Sequence, residues 1–214
     1  YKWISPTNGT VKFTAVAPDG NNNLLYLVTT RGYDEDNEIW NDCGYDERNS
    51  VIFVVEEGQT YYIELATWNY VVNSFTLSWE QFAPPANDNF ADAIEISGDS
   101  GNMTGCNLGA TVEVDGSFTS GEKGDVWWKW TAPSSGTFAF DTYGSDYDTA
   151  ITIYTGDSID DLEYVNDDDD FYEDNTSHVE FEAVSGTTYY IAVGGYGMGD
   201  IVLSWAPAVG ESVI

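Results

Sequence analysis

The chain has 214 residues, of which 42% are hydrophobic and 15% aromatic, so it holds enough apolar surface for packed cores and is not a disordered chain. Its 37 acidic and six basic residues give a formal net charge of −31, which excludes the basic footprint that binding to nucleic acid or anionic lipid requires. No apolar run approaches the ~20 residues of a membrane-spanning helix, so membrane insertion is not expected.

Two copies of one sequence unit make up most of the chain. Gly9–Phe13 parallels Gly136–Phe140, and Gly58–Ile63 parallels Gly186–Ile191. Further matching pairs are Tyr1–Pro6 with Trp128–Pro133, Leu25–Thr30 with Ile151–Gly156, and Phe75–Trp79 with Ile201–Trp205. The offset between the copies stays nearly constant, which predicts an internal repeat of residues 1–80 in residues 128–205.

Each copy alternates apolar and polar residues over short runs that are bounded by Gly, Asn, Asp and Pro. This pattern is typical of antiparallel strands with one solvated face. Val11, Phe13 and Ala15 are expected to point inward together. The sequence predicts an all-β protein with two tandem antiparallel β-sandwiches of the jelly-roll or immunoglobulin-like kind. Four tryptophans at strand positions are expected to be core residues: Trp3, Trp79, Trp130 and Trp205.

Composition also predicts the domain boundaries. A partial sandwich is expected at 1–82, a proline-rich linker at 83–87, a complete sandwich at 88–206 and a tail at 207–214. Residues 87–123 occur only before the second copy, where Asp88 is expected to cap a helical turn and where strands are expected at Ile94–Ile96 and Leu108–Val114. The first copy lacks this segment, so its sheet is predicted to expose an unpaired edge.

The two ends of the chain read as parts of one strand. Gly210–Ile214 followed by Tyr1–Pro6 parallels the segment that leads into Trp128–Pro133. Two interpretations fit this match: the tail is a strand donated to the next copy, or the chain continues into the next repeat of a longer polypeptide. The residues expected in such a head-to-tail contact are Tyr1, Lys2, Trp3, Ser212, Val213 and Ile214.

Several motifs of the second copy, in their order and spacing, carry a family resemblance. They are Asn87–Ala93, Asp125–Pro133, Asp146–Thr149, Asn166–Asp168 and Gly186–Ile191. Together they resemble the bacterial pre-peptidase C-terminal (PPC) domain family, fully over residues 87–206 and partially over residues 1–80. The resemblance implies small β-sandwiches in tandem on a secreted or cell-surface bacterial protein, without catalytic activity and associated with binding of calcium, carbohydrate or protein matrix.

Acidic side chains of the second copy form the predicted calcium site. Two precede one strand and the others follow the next strand, and Ca²⁺ takes six to eight oxygen ligands that adjacent loops can supply. The proposed ligands are Asp146, Asp148, Asn166, Asp167, Asp168 and Asp170. The alternative interpretation is a solvated acidic loop, which is the usual state of a charge run.

No motif in the rest of the sequence indicates a catalytic site, so the protein is not predicted to be an enzyme. The single histidine, His178, is expected on the outer face of a strand, and no phosphate loop or metalloprotease motif is present. Exposed aromatic side chains leave glycan binding open as an alternative. A disulfide between Cys43 and Cys106 is a hypothesis for an extracellular setting. Asn8, Asn102 and Asn175 lie in N-glycosylation sequons.

Two functions therefore compete. The first is a calcium-stabilised extracellular subunit or repeat unit of a fibre or surface assembly, in which residues 208–214 lie beside Tyr1–Ile4 of the next unit. The second is a carbohydrate- or matrix-binding accessory module of a secreted hydrolase or adhesin.

Overall fold

A computed structural model describes residues 1–16, 25–30, 38–39, 50–67, 74–113, 124–169 and 175–208. Within these ranges the chain forms β-strands and two 3-10 turns, at Phe90–Asp92 and Ile159–Asp161. None of these ranges contains a helix that is long and apolar enough to span a membrane. The chain divides into two separate units, Tyr1–Ala83 (unit 1) and Pro84–Ile214 (unit 2).

Unit 1 is a sandwich of a four-stranded and a three-stranded antiparallel sheet. The strands are β1 (Lys2–Ile4), β2 (Gly9–Val16), β3 (Leu25–Thr30), β4 (Glu38–Ile39), β5 (Ser50–Val55), β6 (Thr60–Thr67) and β7 (Thr76–Phe82). The sheet orders are β1-β6-β3-β4 and β5-β2-β7. Val11, Phe13 and Ala15 of β2 are buried against Tyr61 and Ile63 of β6, as the alternation in β2 predicts.

Unit 2 is a larger sandwich of a five-stranded and a four-stranded sheet. The strands are β8 (Ile94–Ile96), β9 (Gly101–Cys106), β10 (Val126–Thr131), β11 (Gly136–Asp141), β12 (Thr149–Thr155), β13 (Glu163–Asp168), β14 (His178–Ala183), β15 (Thr188–Gly195) and β16 (Asp200–Pro207). The sheet orders are β13-β12-β15-β10-β8 and β14-β11-β16-β9. All pairs are antiparallel except β8 and β10, which run parallel.

The two units share one strand order. Removing β8 and β9 from unit 2 leaves the order of unit 1, with β1 in the place of β10 and β7 in the place of β16. The core aromatics also match: the ring centroids of Trp3 and Phe13 lie 5.2 Å apart, and those of Trp130 and Phe140 lie 5.5 Å apart. This confirms the predicted fold class of two β-sandwiches, and strands equivalent to β8 and β9 are not found in the described part of unit 1.

Two predictions for the segment before β10 are wrong. The strand expected at Leu108–Val114 lies earlier, at Gly101–Cys106, because side chains hold residues 107–111 in a turn. Asp88 does not cap the 3-10 turn, where Asn89 takes the N-cap position. Its carboxylate instead accepts hydrogen bonds from the Thr111 backbone N–H (2.5 Å) and hydroxyl (3.0 Å).

Trp79 is a third correction. Trp205 of unit 2 is 6% exposed, as a core residue should be, whereas Trp79 of unit 1 is 49% exposed. The two tryptophans hold equivalent positions, since Trp79 pairs with Phe13 in β7–β2 and Trp205 pairs with Phe140 in β16–β11. The difference arises because β9 covers β16, and no described strand of unit 1 covers β7.

Candidate functional site

The β7 edge of the three-stranded sheet in unit 1, with which no described strand pairs, is the main candidate site, and unit 2 shows a strand that covers the equivalent edge. There, β9 pairs with β16 and sets Gly101 opposite Trp205 and Gly105 opposite Ile201. A Cβ atom on Gly101 would lie 2.5 Å from Cζ2 of Trp205, and one on Gly105 would lie 2.7 Å from Cζ2 of Trp128. Both glycines are therefore needed for β9 to lie flat on the two indole rings.

A turn glycine completes this cover. The carbonyl oxygen of Gly98 accepts hydrogen bonds from the indole N–H of Trp130 (3.0 Å) and of Trp205 (3.3 Å). The φ angle of Gly98 is 95°, a conformation that glycine adopts without steric cost. The turn between β8 and β9 thus satisfies two buried donors that would otherwise be costly to bury.

The equivalent aromatic face of unit 1 has no such cover from any strand that the structure describes. Tyr1, the counterpart of Trp128 in the repeat, is 68% exposed, whereas Trp128 is fully buried. The rings of Trp3 and Trp79 lie 5.4 Å apart. Neither of these indole N–H groups has a hydrogen-bond acceptor in the described part of unit 1. Exposed aromatic side chains and an unpaired sheet edge are features that strand addition covers in proteins generally.

The predicted assembly residues fall at the second open edge of unit 1, along β1. Tyr1 and Lys2 are exposed and Trp3 is half-buried. The N-terminal ammonium group donates a hydrogen bond to the carbonyl of Ile63 (2.6 Å), which extends the pairing of β1 with β6. Their predicted partners lie outside the described residues: Ser212, Val213 and Ile214.

The predicted calcium ligands lie in unit 2, at the start of β12 and in β13. The Oδ1 atom of Asp146 accepts a hydrogen bond from the backbone N–H of Asp200 (2.7 Å), so this carboxylate also fixes the start of β16. Asp148 follows in the same loop, where its carbonyl accepts the N–H of Tyr196 (2.9 Å). The pairing of β12 with β13 places Ile151 opposite Asp168.

The β13 group of predicted ligands makes hydrogen bonds within the protein. The side-chain amide of Asn166 donates to the Glu180 carbonyl (2.8 Å), and Asp167 accepts the hydroxyl of Tyr164. The Oδ2 atom of Asp168 accepts the backbone N–H of His178 (2.8 Å).

These contacts, together with burial, shift the pKa values of Tyr164 and Asp168. The bond to Asp167 raises the pKa of Tyr164 to about 12. Burial raises the pKa of Asp168, the neighbouring charges of Asp169 and Asp167 raise it further, and the His178 N–H lowers it. No three His, Cys, Asp or Glu side chains converge as a metal site among the described residues, and Asp170 lies outside them.

The side chain of Asn107 bridges three backbone segments, a role that the sequence did not predict. Its buried side chain donates to the carbonyls of Gly124 (3.4 Å) and Gly197 (3.1 Å), and its Oδ1 atom accepts the N–H of Gly199 (2.8 Å). It therefore joins the end of β9 to the segment before β10 and to the loop before β16. The sequence carried one signal for it, because an asparagine beside several glycine-rich turns is a common backbone bridge.

Buried polar groups surround the Asn107 side chain. Cys106 is a free thiol whose pKa is raised mainly by burial. The pKa of the Tyr147 hydroxyl is raised well above its usual value by burial and by the charge of Asp125. Cys43 lies outside the described residues, so its pairing with Cys106 stays a prediction.

The remaining predicted residues lie at the surface. Asn8, Asn102 and Asn175 are exposed, and their glycosylation stays a prediction. Nε2 of His178 lies 3.4 Å from a carboxylate oxygen of Glu180. Of the aromatic residues that leave glycan binding open, Tyr143 and Tyr196 are exposed, at 69% and 61%. The others lie outside the described residues: Trp40, Trp68, Tyr70 and Tyr172.

Comparisons with known proteins give a likeness in structure only. No family model matches the chain, and no curated protein matches it. Among solved structures, the pre-peptidase C-terminal domain of a collagenase from Bacillus anthracis is 14% identical, with a TM-score of 0.33; the match covers 53% of this chain and 92% of that domain. A predicted secreted protein from Parabacteroides distasonis is 8% identical, with a TM-score of 0.28, over 98% of this chain and 77% of that one.

These low scores carry no argument about function. The class of the protein is defined by its own strands: it is an all-β protein whose two units are β-sandwiches.

Proposed function

We propose that this chain is a non-enzymatic, extracellular structural protein, built from PPC-like β-sandwiches, whose copies join head to tail. In this proposal, residues 208–214 of one copy lie as a strand beside Tyr1–Ile4 of the next. The observation that carries it is the contrast between the two units: β8 and β9 cover the aromatic face of unit 2, and no described strand covers the equivalent face of unit 1.

Strand addition is the chemistry that this face supports. An added strand forms backbone hydrogen bonds with the open edge and covers apolar side chains at the same time. The pairing of β8 with β10 in unit 2 shows both effects. Ile96 of β8 lies opposite Trp130 in the ladder of the two strands, and its side chain is buried. Repeated head-to-tail addition produces a filament when the rotation between copies does not close a ring, and the proposal is of this open kind.

Calcium is proposed as the stabilising ion of unit 2. Asp167, Asp168 and Asp169 are consecutive carboxylates, and the raised pKa of Asp168 reflects burial together with their mutual repulsion. A bound dication removes this repulsion, as does the screening of a −31 chain by salt. Asp146 and Asp148 are the proposed ligands from the neighbouring loop, with Asn166 and Asp170 completing the set.

A second function, an accessory module that binds carbohydrate or matrix, is favoured by Tyr143 and Tyr196. Both side chains are exposed, and each belongs to a loop that contacts the Asp146–Asp148 segment or includes it. Aromatic rings of this kind stack on sugars. This function needs no assembly, so the presence or absence of fibres distinguishes the two proposals.

Negative-stain electron microscopy tests the proposed assembly. We expect filaments from the full chain in millimolar calcium, fewer filaments in a chelator, and single particles from a chain that lacks Glu211–Ile214. A variant in which Gly-Ser-Gly-Ser replaces these four residues controls for length and is also expected to stay monomeric. Filaments from the truncated chain would contradict donation by the tail. Single particles from every sample would contradict non-covalent assembly, and equal filaments with chelator would contradict the role of calcium.

A further inference from the structure

We propose that Asn8 of unit 1 is a site of spontaneous covalent modification, at which the asparagine converts through a succinimide to aspartate and isoaspartate. The isoaspartate product opens a contact that holds two turns of unit 1 together. This inference concerns the chemistry of one turn and does not depend on the proposed assembly.

The sequence and the exposure of Asn8 favour this reaction. Asn8–Gly9 is the single Asn-Gly pair in the sequence, and it lies where the segment after β1 leads into β2. The side chain of Asn8 is exposed, so water reaches its amide group. Gly9 has a φ angle of 134°, a conformation that glycine adopts without steric cost, and it carries no side chain to hinder its own backbone nitrogen.

The side chain of Asn8 joins the turn before β2 to the turn between β5 and β6. Its Oδ1 atom accepts a hydrogen bond from the backbone N–H of Glu57 (2.7 Å), and we call this contact the clasp of unit 1. Unit 2 makes the equivalent contact with a different residue, because Oγ of Ser135 accepts the N–H of Ser185 (2.9 Å). Both acceptors stand directly before the glycine that begins their strand, β2 or β11. Serine carries no amide, so the reaction is confined to unit 1.

The reaction needs water as its co-reactant and nothing else. The backbone nitrogen of Gly9 attacks Cγ of Asn8, which forms a C–N bond and closes the succinimide ring. The bond from Cγ to Nδ2 breaks, and Nδ2 takes the Gly9 amide proton and leaves as ammonia. Water then opens the ring at one of its two carbonyl carbons. Attack at Cγ gives aspartate, and attack at the former backbone carbonyl carbon gives isoaspartate.

The two products differ in their effect on the clasp. Aspartate keeps the main chain and presents a carboxylate oxygen in place of Oδ1, so it still accepts the Glu57 N–H. Isoaspartate routes the main chain through Cβ and Cγ, so the side-chain acceptor becomes part of the backbone. The Asn8 carbonyl, which accepts the side-chain amide of Gln81 (3.3 Å), becomes a free carboxylate outside the main chain. The isoaspartate form therefore loses the clasp, whereas the aspartate form keeps it.

Peptide mapping by mass spectrometry tests the modification on the full chain, produced without glycosylation so that Nδ2 is unmodified. The folded protein is incubated at mildly alkaline pH, and isoaspartate is measured with an isoaspartyl methyltransferase and by electron-transfer fragmentation. Asn89 and Asn102 are the internal controls, because both are exposed but precede the large residues Phe90 and Met103. We expect isoaspartate to form at Asn8 about tenfold faster than at either control, since a following side chain hinders the attacking nitrogen.

Hydrogen exchange of the Glu57 amide, measured by nuclear magnetic resonance, tests the opening of the clasp. In the aged fraction enriched in isoaspartate by ion-exchange chromatography, we expect this amide to exchange about fivefold faster. Asn8→Ser is the matched variant, because serine is the acceptor in unit 2. It should form no isoaspartate at residue 8, and neither it nor freshly prepared Asn8→Asp should raise the exchange rate by more than about twofold.

Two results would overturn the inference. Isoaspartate at Asn8 no faster than at Asn89 would contradict the modification site. Unchanged exchange of the Glu57 amide in the isoaspartate form would contradict the opening of the clasp.

Discussion

Replacing Trp205 by alanine is expected to lower the free energy of unfolding of unit 2 by about 3–5 kcal/mol, the usual cost of removing a buried tryptophan from a core. Trp205 is 6% exposed, its ring packs against Phe140, and its indole N–H is bonded to Gly98. The substitution leaves a cavity under β9 and removes one of the two donors that hold the turn before it.

The same substitution at Trp79 is the matched control. Because about half of this side chain is already exposed to solvent, we expect a loss of about 1–2 kcal/mol from unit 1. Denaturant unfolding, followed by hydrogen exchange on peptides from each unit, measures the two losses separately. Equal losses at the two positions would contradict the claim that the face of unit 1 is uncovered.

Replacing Asn107 by alanine is expected to destabilise unit 2 by about 2–4 kcal/mol. The side chain makes three hydrogen bonds, to Gly124, Gly197 and Gly199, and the substitution leaves these backbone groups buried without their partner. The end of β9 and the loop before β16 should loosen together, since this one residue joins them.

Asn89→Ala is the control for this prediction. Asn89 is exposed, and among the described residues its side chain bonds to Asp92 alone, at 3.4 Å, so we expect a change within about 0.5 kcal/mol. Urea unfolding monitored by circular dichroism compares the two variants. A change below about 1 kcal/mol for Asn107→Ala would show that the three bonds add little to the net stability of unit 2.

The sequence was sufficient to predict the architecture because the repeat is carried by core residues. Two pairs of residues are equivalent in both sequence and packing: Phe13 with Phe140, and Tyr61 with Tyr189. The hydroxyl of each tyrosine accepts a hydrogen bond from the backbone N–H of the residue five positions before it, at 3.0 Å. Alternation identified the inward face of β2 because alternate residues of that strand, Val11, Phe13 and Ala15, are buried.

The errors arose where burial depends on a distant strand. Trp79 and Trp205 look alike in the sequence, and only the presence of β9 separates an exposed residue from a buried one. β9 itself was missed because Gly101 and Gly105 have low strand propensity, although both are needed for its close approach to the indole rings.

The side-chain roles around the candidate sites were also beyond sequence reasoning. Asp88 has the spacing of a helix cap, yet its carboxylate bonds to Thr111, far along the chain. Asn166, Asp167 and Asp168 form an acidic run whose separate partners depend on the pairing of β13 with its neighbours. Such contacts depend on register, which alternation alone does not specify.

Hydrogen exchange of β7, compared with β16, tests the central claim that the outer edge of β7 is unpaired, as it is among the described residues. In the monomeric protein lacking Glu211–Ile214, we expect about half of the amides of Thr76–Phe82 to exchange rapidly, because those facing away from β2 have no strand partner. The amides of β16 should be protected, since residues 200–205 pair with β9 and residues 204–206 pair with β11. Equal protection of the two strands would contradict the account, since it would mean that the β7 edge is already covered within the chain.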